Sequence, residues 1–310
     1  MESSESSKEQ FLKIPSPEII SPSELIERII SILPIAKEFL ENIPNNSFHR
    51  DEISADVNKI FSIELPENAD SWENIVTFMK TEIIPRFPSV SNPHFLAYIP
   101  SAPAPPAIIG ALITPLFNQF LGTVLGSPGG TALEALAIRW ITQLLDLDSS
   151  SFGSFTMGGS SANLTCIYAG LVDKAPWNII KDGLSSNKRL MIYTSDQSHN
   201  SIIKVARILG LGEKSVKLVS SDSSFRLTPD AVRIAIEEDE KDKSKIPTMI
   251  IATAGTTNTG SIDDLKGLYE LAREKNLWFH VDGAYGAFAR LAMTEVSKEL
   301  IAIKYADSIA

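Results

Sequence analysis

A chain of 310 residues with 44% apolar side chains exceeds one average domain and can bury a sizeable core. Its net charge of -10 argues against nucleic acid or an anionic membrane surface as the main partner, because both select basic patches. The single cysteine, Cys166, excludes an internal disulfide, and the start Met1-Glu2-Ser3-Ser4 lacks the basic and apolar regions of a signal peptide, so the cytoplasm is the expected compartment.

Residues 1–20 are polar and serine-rich and are expected to be disordered or loosely docked. Ser21-Pro22-Ser23-Glu24 is a capping box with proline at the first helical position. Leu25, Ile29, Ile32, Leu33, Ala36, Phe39 and Leu40 follow at helical spacing, with Pro34 expected to kink the helix. A second helix is expected from Asp70 or Ser71, carrying Ile75, Phe78 and Met79 on one face and stopping before Pro85. Residues 21–92 thus form a helical arm whose apolar stripe must be buried against the next domain or a second copy of the chain.

The second domain is expected over 93–310. Phe95 to Phe117 is apolar and long enough to cross a bilayer, but Pro100, Pro103, Pro105, Pro106 and Pro115 would break the backbone ladder that a spanning helix must keep. An extended, buried lead-in and a helix from Pro105 and Pro106 fit better, and no membrane partner is expected. Thr131 and Glu134 make another capping box, opening a helix through Leu145 with Leu133, Leu136, Trp140, Ile141 and Leu144 inward. Strands are then expected at Phe152 to Met157, Arg189 to Thr194, Val216 to Val219, Thr248 to Thr253, Trp278 to Val281 and from near Asp307. Helices follow Ser161, Ser201, Thr228, Asp263 and Glu295, and the charged run Glu237 to Lys245 reads as a solvated helix end. The alternation predicts an α/β fold with a mostly parallel sheet covered on both faces.

Chemistry concentrates where these strands end. Trp278-Phe279-His280-Val281 closes on Asp282, which places a carboxylate at the carboxyl edge of the sheet, where open α/β sheets bind ligands. Two readings fit: Asp282 caps the following helix, or it faces a cofactor, and pyridoxal phosphate suits it best because a carboxylate keeps the pyridine nitrogen protonated. Gly158-Gly159-Ser160-Ser161-Ala162-Asn163 is either an ordinary strand-to-helix turn or a phosphate cradle of backbone N–H groups and hydroxyls at a helix start. His199, after Ser195-Asp196-Gln197-Ser198, either caps the next helix or stacks on a flat ring or moves a proton. Ala254-Gly255-Thr256-Thr257 leaves room for a ligand and offers hydroxyls. His280 reads as structural, His94 and His49 lie outside the sheet, and no metal site is expected.

Taken together, Asn92-Pro93-His94-Phe95 with Tyr98-Ile99-Pro100-Ser101, Gly158 to Asn163, Ser195 to His199, Ala254 to Thr257 and His280-Val281-Asp282-Gly283-Ala284-Tyr285 resemble the group II pyridoxal-phosphate-dependent amino acid decarboxylases, which include aromatic amino acid, histidine and glutamate decarboxylases. The likeness runs from about residue 20 to the last residue. It implies the large domain of the aspartate aminotransferase-like fold (fold type I), a homodimer with an intertwined amino-terminal arm, pyridoxal 5'-phosphate as cofactor, and decarboxylation of an L-amino acid to the amine and carbon dioxide. It also implies roles for single residues. Asp282 would pair with the pyridine nitrogen and His199 would stack on the ring. Ser160, Ser161 and Ala162 would hold the phosphate, and Thr257 and Ala284 would contact the cofactor or its adduct. Tyr98, Ile99 and Ser101 match positions lining the substrate pocket, and Ile99 stands where aromatic-specific members are more aromatic.

The departure is at the end of the chain. In this family the lysine that holds the cofactor follows shortly after a Tyr-Ala-Asp-Ser strand, and here Tyr305-Ala306-Asp307-Ser308-Ile309-Ala310 closes the sequence. Lys204 and Lys304 do not take its place. The expectation is a fragment of a decarboxylase, lacking that lysine and the small carboxyl-terminal domain and inactive alone. The competing expectations are another fold type I enzyme, a sphingosine-phosphate-lyase-like lyase or an aminotransferase, or a non-catalytic dimerisation module.

Overall fold

The computed structural model describes residues 20–46, 53–66, 68–184, 187–292 and 294–310. The expectation for residues 1–19 and the placement of His49 lie outside them. The chain divides into two compact units, Met1–Ala102 and Pro103–Ala310, parting later than the 92/93 boundary read from the sequence.

In the first unit, α1 (Pro22–Glu41) starts where Ser21 Oγ accepts from Glu24 N at 3.1 Å, and it runs on through Pro34. A helix absent from the sequence reading, α2 (Ile53–Phe61), follows. Ser71 Oγ caps α3 (Trp72–Phe78), accepting from Asn74 N at 3.2 Å. The chain does not stop before Pro85. It continues as a π turn (Met79–Ile83) and a 3-10 turn (Ile84–Arg86), in which Pro85 sits among the first positions, where its missing N–H is not needed. Asn92 Nδ2 lies within hydrogen-bond reach of the carbonyls of Ile43, Pro44 and Asn46, at 3.2, 3.1 and 3.0 Å, and ties the end of this unit back to the turn after α1.

The second unit opens with α4 (Pro105–Phe117) and α5 (Pro128–Leu144). The lead-in is exposed, not buried, over 96–104, as Leu96 and Tyr98 show, and Phe95 is half-buried. Every residue of α4 is exposed as well, and no Asp, Glu, Lys or Arg occurs between Phe87 and Leu133. Helix α5 begins at Pro128, with Ser127 Oγ as its cap and Thr131 inside it, because the Ser127-Pro128 pair supplies both an acceptor and a preset φ one turn earlier. Leu133, Trp140 and Leu144, expected inward, are exposed. The strand expected at 152–157 does not form. Phe152 is 96% and Met157 99% exposed, and apolar residues hold an extended conformation as a strand only beside a ladder partner, which this segment lacks among the described residues.

After α6 (Gly159–Lys174) and α7 (Ile179–Asp182) the α/β alternation is as expected: β1 (Arg189–Ser195), α8 (Ser201–Ile208), β2 (Val216–Val219), α9 (Pro229–Asp239), β3 (Lys245–Thr253), α10 (Leu265–Glu274), β4 (Trp278–Asp282), α11 (Glu295–Glu299) and β5 (Ser308–Ile309). The strands form one parallel sheet in the order β2-β1-β3-β4-β5. β1 and β3 lose register between Met191 and Ile192, opposite Pro247, which has no N–H to give the ladder.

One face of the sheet carries Ile192, Met249 and Ile251 against Ile167 and Leu171 of α6 and Ile202 and Val205 of α8. The other carries Tyr193, Ile250 and Phe279 against α9 and α10. Gly170 explains the close seat of α6: a Cβ there would lie 2.3 Å from Met249 Cε and 2.7 Å from the Trp278 ring. Two acids depart from expectation. Asp264, not Asp263, caps α10 by accepting from Gly267 N at 2.9 Å, while Asp263 is buried and accepts from Leu227 N and Thr253 N, both at 2.7 Å. Within the charged run, Asp239 is 1% exposed, accepts from Tyr193 Oη at 3.2 Å and pairs with Lys245 Nζ at 2.6 Å, so only part of that run is solvated.

Candidate active site

The order β2-β1-β3 reverses direction at β1, and the crevice beyond the carboxyl ends of β1, β3 and β4 is the place such a sheet offers a ligand. Asp282 ends β4 and is 6% exposed. Its Oδ2 accepts from Asn163 Nδ2 at 2.9 Å and its Oδ1 from Ala284 N at 3.3 Å. Because β3 and β4 are in register, Thr253 stands beside Asp282, and both project from the sheet face that α6 covers.

Asn163 also donates to Ser201 Oγ at 3.0 Å, and Ser201 Oγ lies 2.9 Å from His199 Nδ1. The sequence-predicted pair His199 and Asp282 is therefore joined through Ser201 and Asn163, side chains to which the sequence reading assigned no role. On its far side Asn163 Oδ1 meets His280 Nε2 at 2.9 Å, and His280 Nδ1 meets Ser308 Oγ at 2.9 Å. Full burial pushes His280 down to about 4, against the opposing pull of the Asp282 charge. The signal for Asn163 was present in the sequence: it shares one helical face with Ile167, Gly170 and Leu171, and a polar residue ending an apolar stripe must find partners inside.

Ser160, Ser161 and Ala162 occupy the first turn of α6. Gly158 caps that helix with φ 127°, a conformation that suits glycine alone, and with no side-chain hydrogen bond. The N–H groups of Gly159 and Ser160 have no intrahelical acceptor, so this corner offers free donors. Ala284 is brought to the same corner, since a Cβ on Gly159 would lie 3.2 Å from that of Ala284. The loops after β3 and β4 press together: a Cβ on Gly286 would lie 2.2 Å from Ala254 O. Thr257 is half-buried in the first of these loops. Tyr98, Ile99 and Ser101 belong to the first unit, where all three are exposed and Tyr98 has φ 58°. Lys204 is exposed on α8, and Lys304 pairs with Asp146 at 2.8 Å.

Two observations test this crevice against a flat heterocycle with an anionic arm. Thr253 Oγ1 is buried without a hydrogen-bond partner among the described residues, which costs about 1–3 kcal/mol unless a ligand meets it. The Gly158-Gly159 corner presents donors to whatever occupies it. A carboxylate for a ring nitrogen, an imidazole and an anion-binding helix start fit that group.

Residues 55–310 match the model of the pyridoxal-dependent decarboxylase conserved domain. Among curated proteins, an aromatic-L-amino-acid decarboxylase of Bacillus atrophaeus is 31% identical over 79% of this chain and 49% of its own length. Tyrosine decarboxylase 4 of Petroselinum crispum is 32% identical with the same coverage. The chain spans about half the length of the curated relatives it matches. Among solved structures, mouse CSAD in apo form superposes with a TM-score of 0.83 at 26% identity, over 93% of this chain and 60% of that one. Rhodiola rosea 4-hydroxyphenylacetaldehyde synthase gives 0.83 at 26%, over 94% and 62%. The parallel sheet and its helices are those of a fold type I large domain, and the chain belongs to the pyridoxal-dependent decarboxylase family.

Proposed function

We propose that the protein to which this chain belongs is a pyridoxal 5'-phosphate-dependent decarboxylase that converts an L-amino acid to its amine and carbon dioxide, working as a homodimer in the cytoplasm. The observation that carries this reading is Asp282, a nearly buried carboxylate at the carboxyl edge of β4, linked to His199 and set on the same crevice as the open start of α6. When bound, the cofactor supplies a cationic ring that takes up the electron pair released with carbon dioxide.

In this reading Asp282 holds the proton on the ring nitrogen, since a fixed negative charge favours the protonated form of a neighbour. His199 offers a flat imidazole face. Ser160, Ser161 and Ala162 take the phosphate, and Thr257 and Ala284 line the seat. Tyr98, Ile99 and Ser101 contribute to substrate recognition. Aromatic L-amino acids are the substrates to try first, given the names of the relatives, and Ile99 favours one that depends less on ring stacking. The uncharged, exposed helix α4 supports the homodimer, because an apolar surface of that extent marks an association site and carries no charge to repel a copy of itself.

No helix among the described residues is long and apolar enough to cross a membrane. The test is a titration of the chain and its Asp282→Asn variant with pyridoxal phosphate, followed by absorbance, together with detection of the released amine across a panel of amino acids in the whole protein. Saturable binding weakened by the substitution, and an amine product, support the reading. Binding that ignores the substitution overturns the assignment of Asp282.

A further inference from the structure

We propose that Asn163 is a positioning residue that transmits a fixed hydrogen-bond direction from the sheet to the imidazole of His199, leaving that ring with its proton on Nε2. The hydrogen-bond order stands on this chain's own side chains; only its use toward a bound ring rests on the cofactor reading above.

An amide side chain offers two N–H hydrogens and one carbonyl oxygen, and here the neighbours dictate which end goes where. Asp282 Oδ2 is a carboxylate oxygen and accepts, so Nδ2 faces it at 2.9 Å. The second Nδ2 hydrogen reaches Ser201 Oγ at 3.0 Å. Oδ1 is left to face His280 Nε2 at 2.9 Å, and an acceptor in that position requires the nitrogen to hold a proton. His280 Nδ1 lies 3.1 Å from the Ser308 carbonyl, which only accepts, and 2.9 Å from Ser308 Oγ. That hydroxyl oxygen in turn accepts from Trp278 Nε1 at 2.8 Å, a group that only donates.

The order continues on the other side of Asn163. Ser201 Oγ already accepts from Nδ2, so its own hydrogen goes to His199 Nδ1 at 2.9 Å, beside the Ser201 backbone N–H at 3.2 Å. Two donors on Nδ1 leave the proton of His199 on Nε2. Asn163, Ser201 and His280 are each at most 1% exposed, so no water corrects a mismatch. Reversing any member would set two lone pairs or two hydrogens face to face, at about 1–3 kcal/mol for each unmatched buried group. The consequence is that His199, with its flat face toward a bound ring, keeps a donor at Nε2 in its own plane, while Asp282 stays oriented by its bond from Asn163.

The experiment is ¹⁵N-histidine NMR of the 310-residue chain without added cofactor, its four histidines assigned by single substitution. His199 is expected to show a proton on Nε2 and a bare Nδ1, and His280 a proton on Nε2. A proton on Nδ1 of His199, or a bare Nε2 on His280, overturns the proposal. Ser201→Ala, which leaves the backbone N–H of residue 201 as the remaining donor, is expected to move the His199 Nδ1 signal toward that of a less bonded nitrogen and to leave His280 unchanged, and Ser201→Thr, which keeps the hydroxyl, is expected to restore it. Asn163→Asp, whose added carboxylate oxygen draws the Ser201 hydrogen away from His199, is expected to move the signal the same way. A His199 signal indifferent to both Ser201→Ala and Asn163→Asp overturns the role of Asn163. Pyridoxal phosphate titration of the same samples is a separate readout: failure to bind overturns the cofactor reading and leaves the tautomer result standing.

Discussion

Asn163 and Asp282 are 119 positions apart in the chain, and the amide nitrogen of one lies 2.9 Å from the carboxylate oxygen of the other. The bond joins the first turns of α6 to the last residue of β4, so the start of that helix and the carboxylate are held by one framework. Asp282→Asn keeps the shape of the side chain and removes its charge. It is expected to weaken pyridoxal phosphate binding by about 10- to 150-fold, the worth of a charge-assisted hydrogen bond of about 1.5–3 kcal/mol. Equilibrium titration checks this, and an unchanged affinity would contradict it.

Gly158→Ala places a Cβ on a residue with φ 127°. That region is closed to other residues, so a loss of about 1–3 kcal/mol in stability is expected, read as a lower thermal midpoint. The same change at Gly129, where a Cβ meets nothing within 4 Å and φ is ordinary for a helix, is the control and is expected to be harmless.

Two buried groups are expected to shape the pH dependence of stability in opposite senses. Burial raises Asp263 from 3.8 to about 6, so its native preference for the protonated form stabilises below about 3.8 and is lost as pH rises through about 6. His280 is lowered from 6.5 to about 4, so its preference for the neutral form stabilises above about 6.5 and is lost as pH falls through about 4. The two offset one another over the same window. Relative to the unsubstituted chain, Asp263→Asn is expected to fall more steeply toward acid and His280→Gln less steeply, in denaturant melts between pH 4 and 7. Three parallel curves would show that neither group carries the linkage.

Lys245→Met leaves Asp239 buried with Tyr193 as its remaining hydrogen-bond donor. Removing one partner of a buried ion pair costs about 3–5 kcal/mol, and the low end is expected here because Lys245 is partly exposed. Chemical denaturation measures the loss. Lys245→Met with Asp239→Asn is expected to recover much of it, since the unpaired charge is then gone.

The parallel sheet was legible because its strands are continuous apolar runs that end abruptly: Arg189 to Ser195, Lys245 to Thr253 and Trp278 to Asp282 are buried along most of their lengths, and burial is what such runs report. Asp282 and His199 were found for the same reason, as polar residues at the ends of those runs. The misreadings share a different cause. Phe152 to Met157 looks like a strand by composition, yet a strand is a pairing, and composition says nothing of whether a partner lies alongside. Leu133, Trp140 and Leu144 lie on a plausible inward stripe of α5 that the described residues leave uncovered. Asn163, Ser201 and Ser308 were passed over because their significance comes from bonds that span 119 positions to Asp282, 117 to His280, 38 between Ser201 and Asn163 and 28 between Ser308 and His280, which local spacing does not encode.

The stretch that includes α4 contains no Asp, Glu, Lys or Arg between Phe87 and Leu133. If two copies of the chain meet there, their affinity is set by water released from hydrocarbon and not by attraction between charges. Such a contact is indifferent to ionic strength up to the range where salts begin to order solvent, loosens in the cold and is tightened by sulfate. A dimer that survives molar sodium chloride yet dissociates near freezing would have this patch as its physical origin.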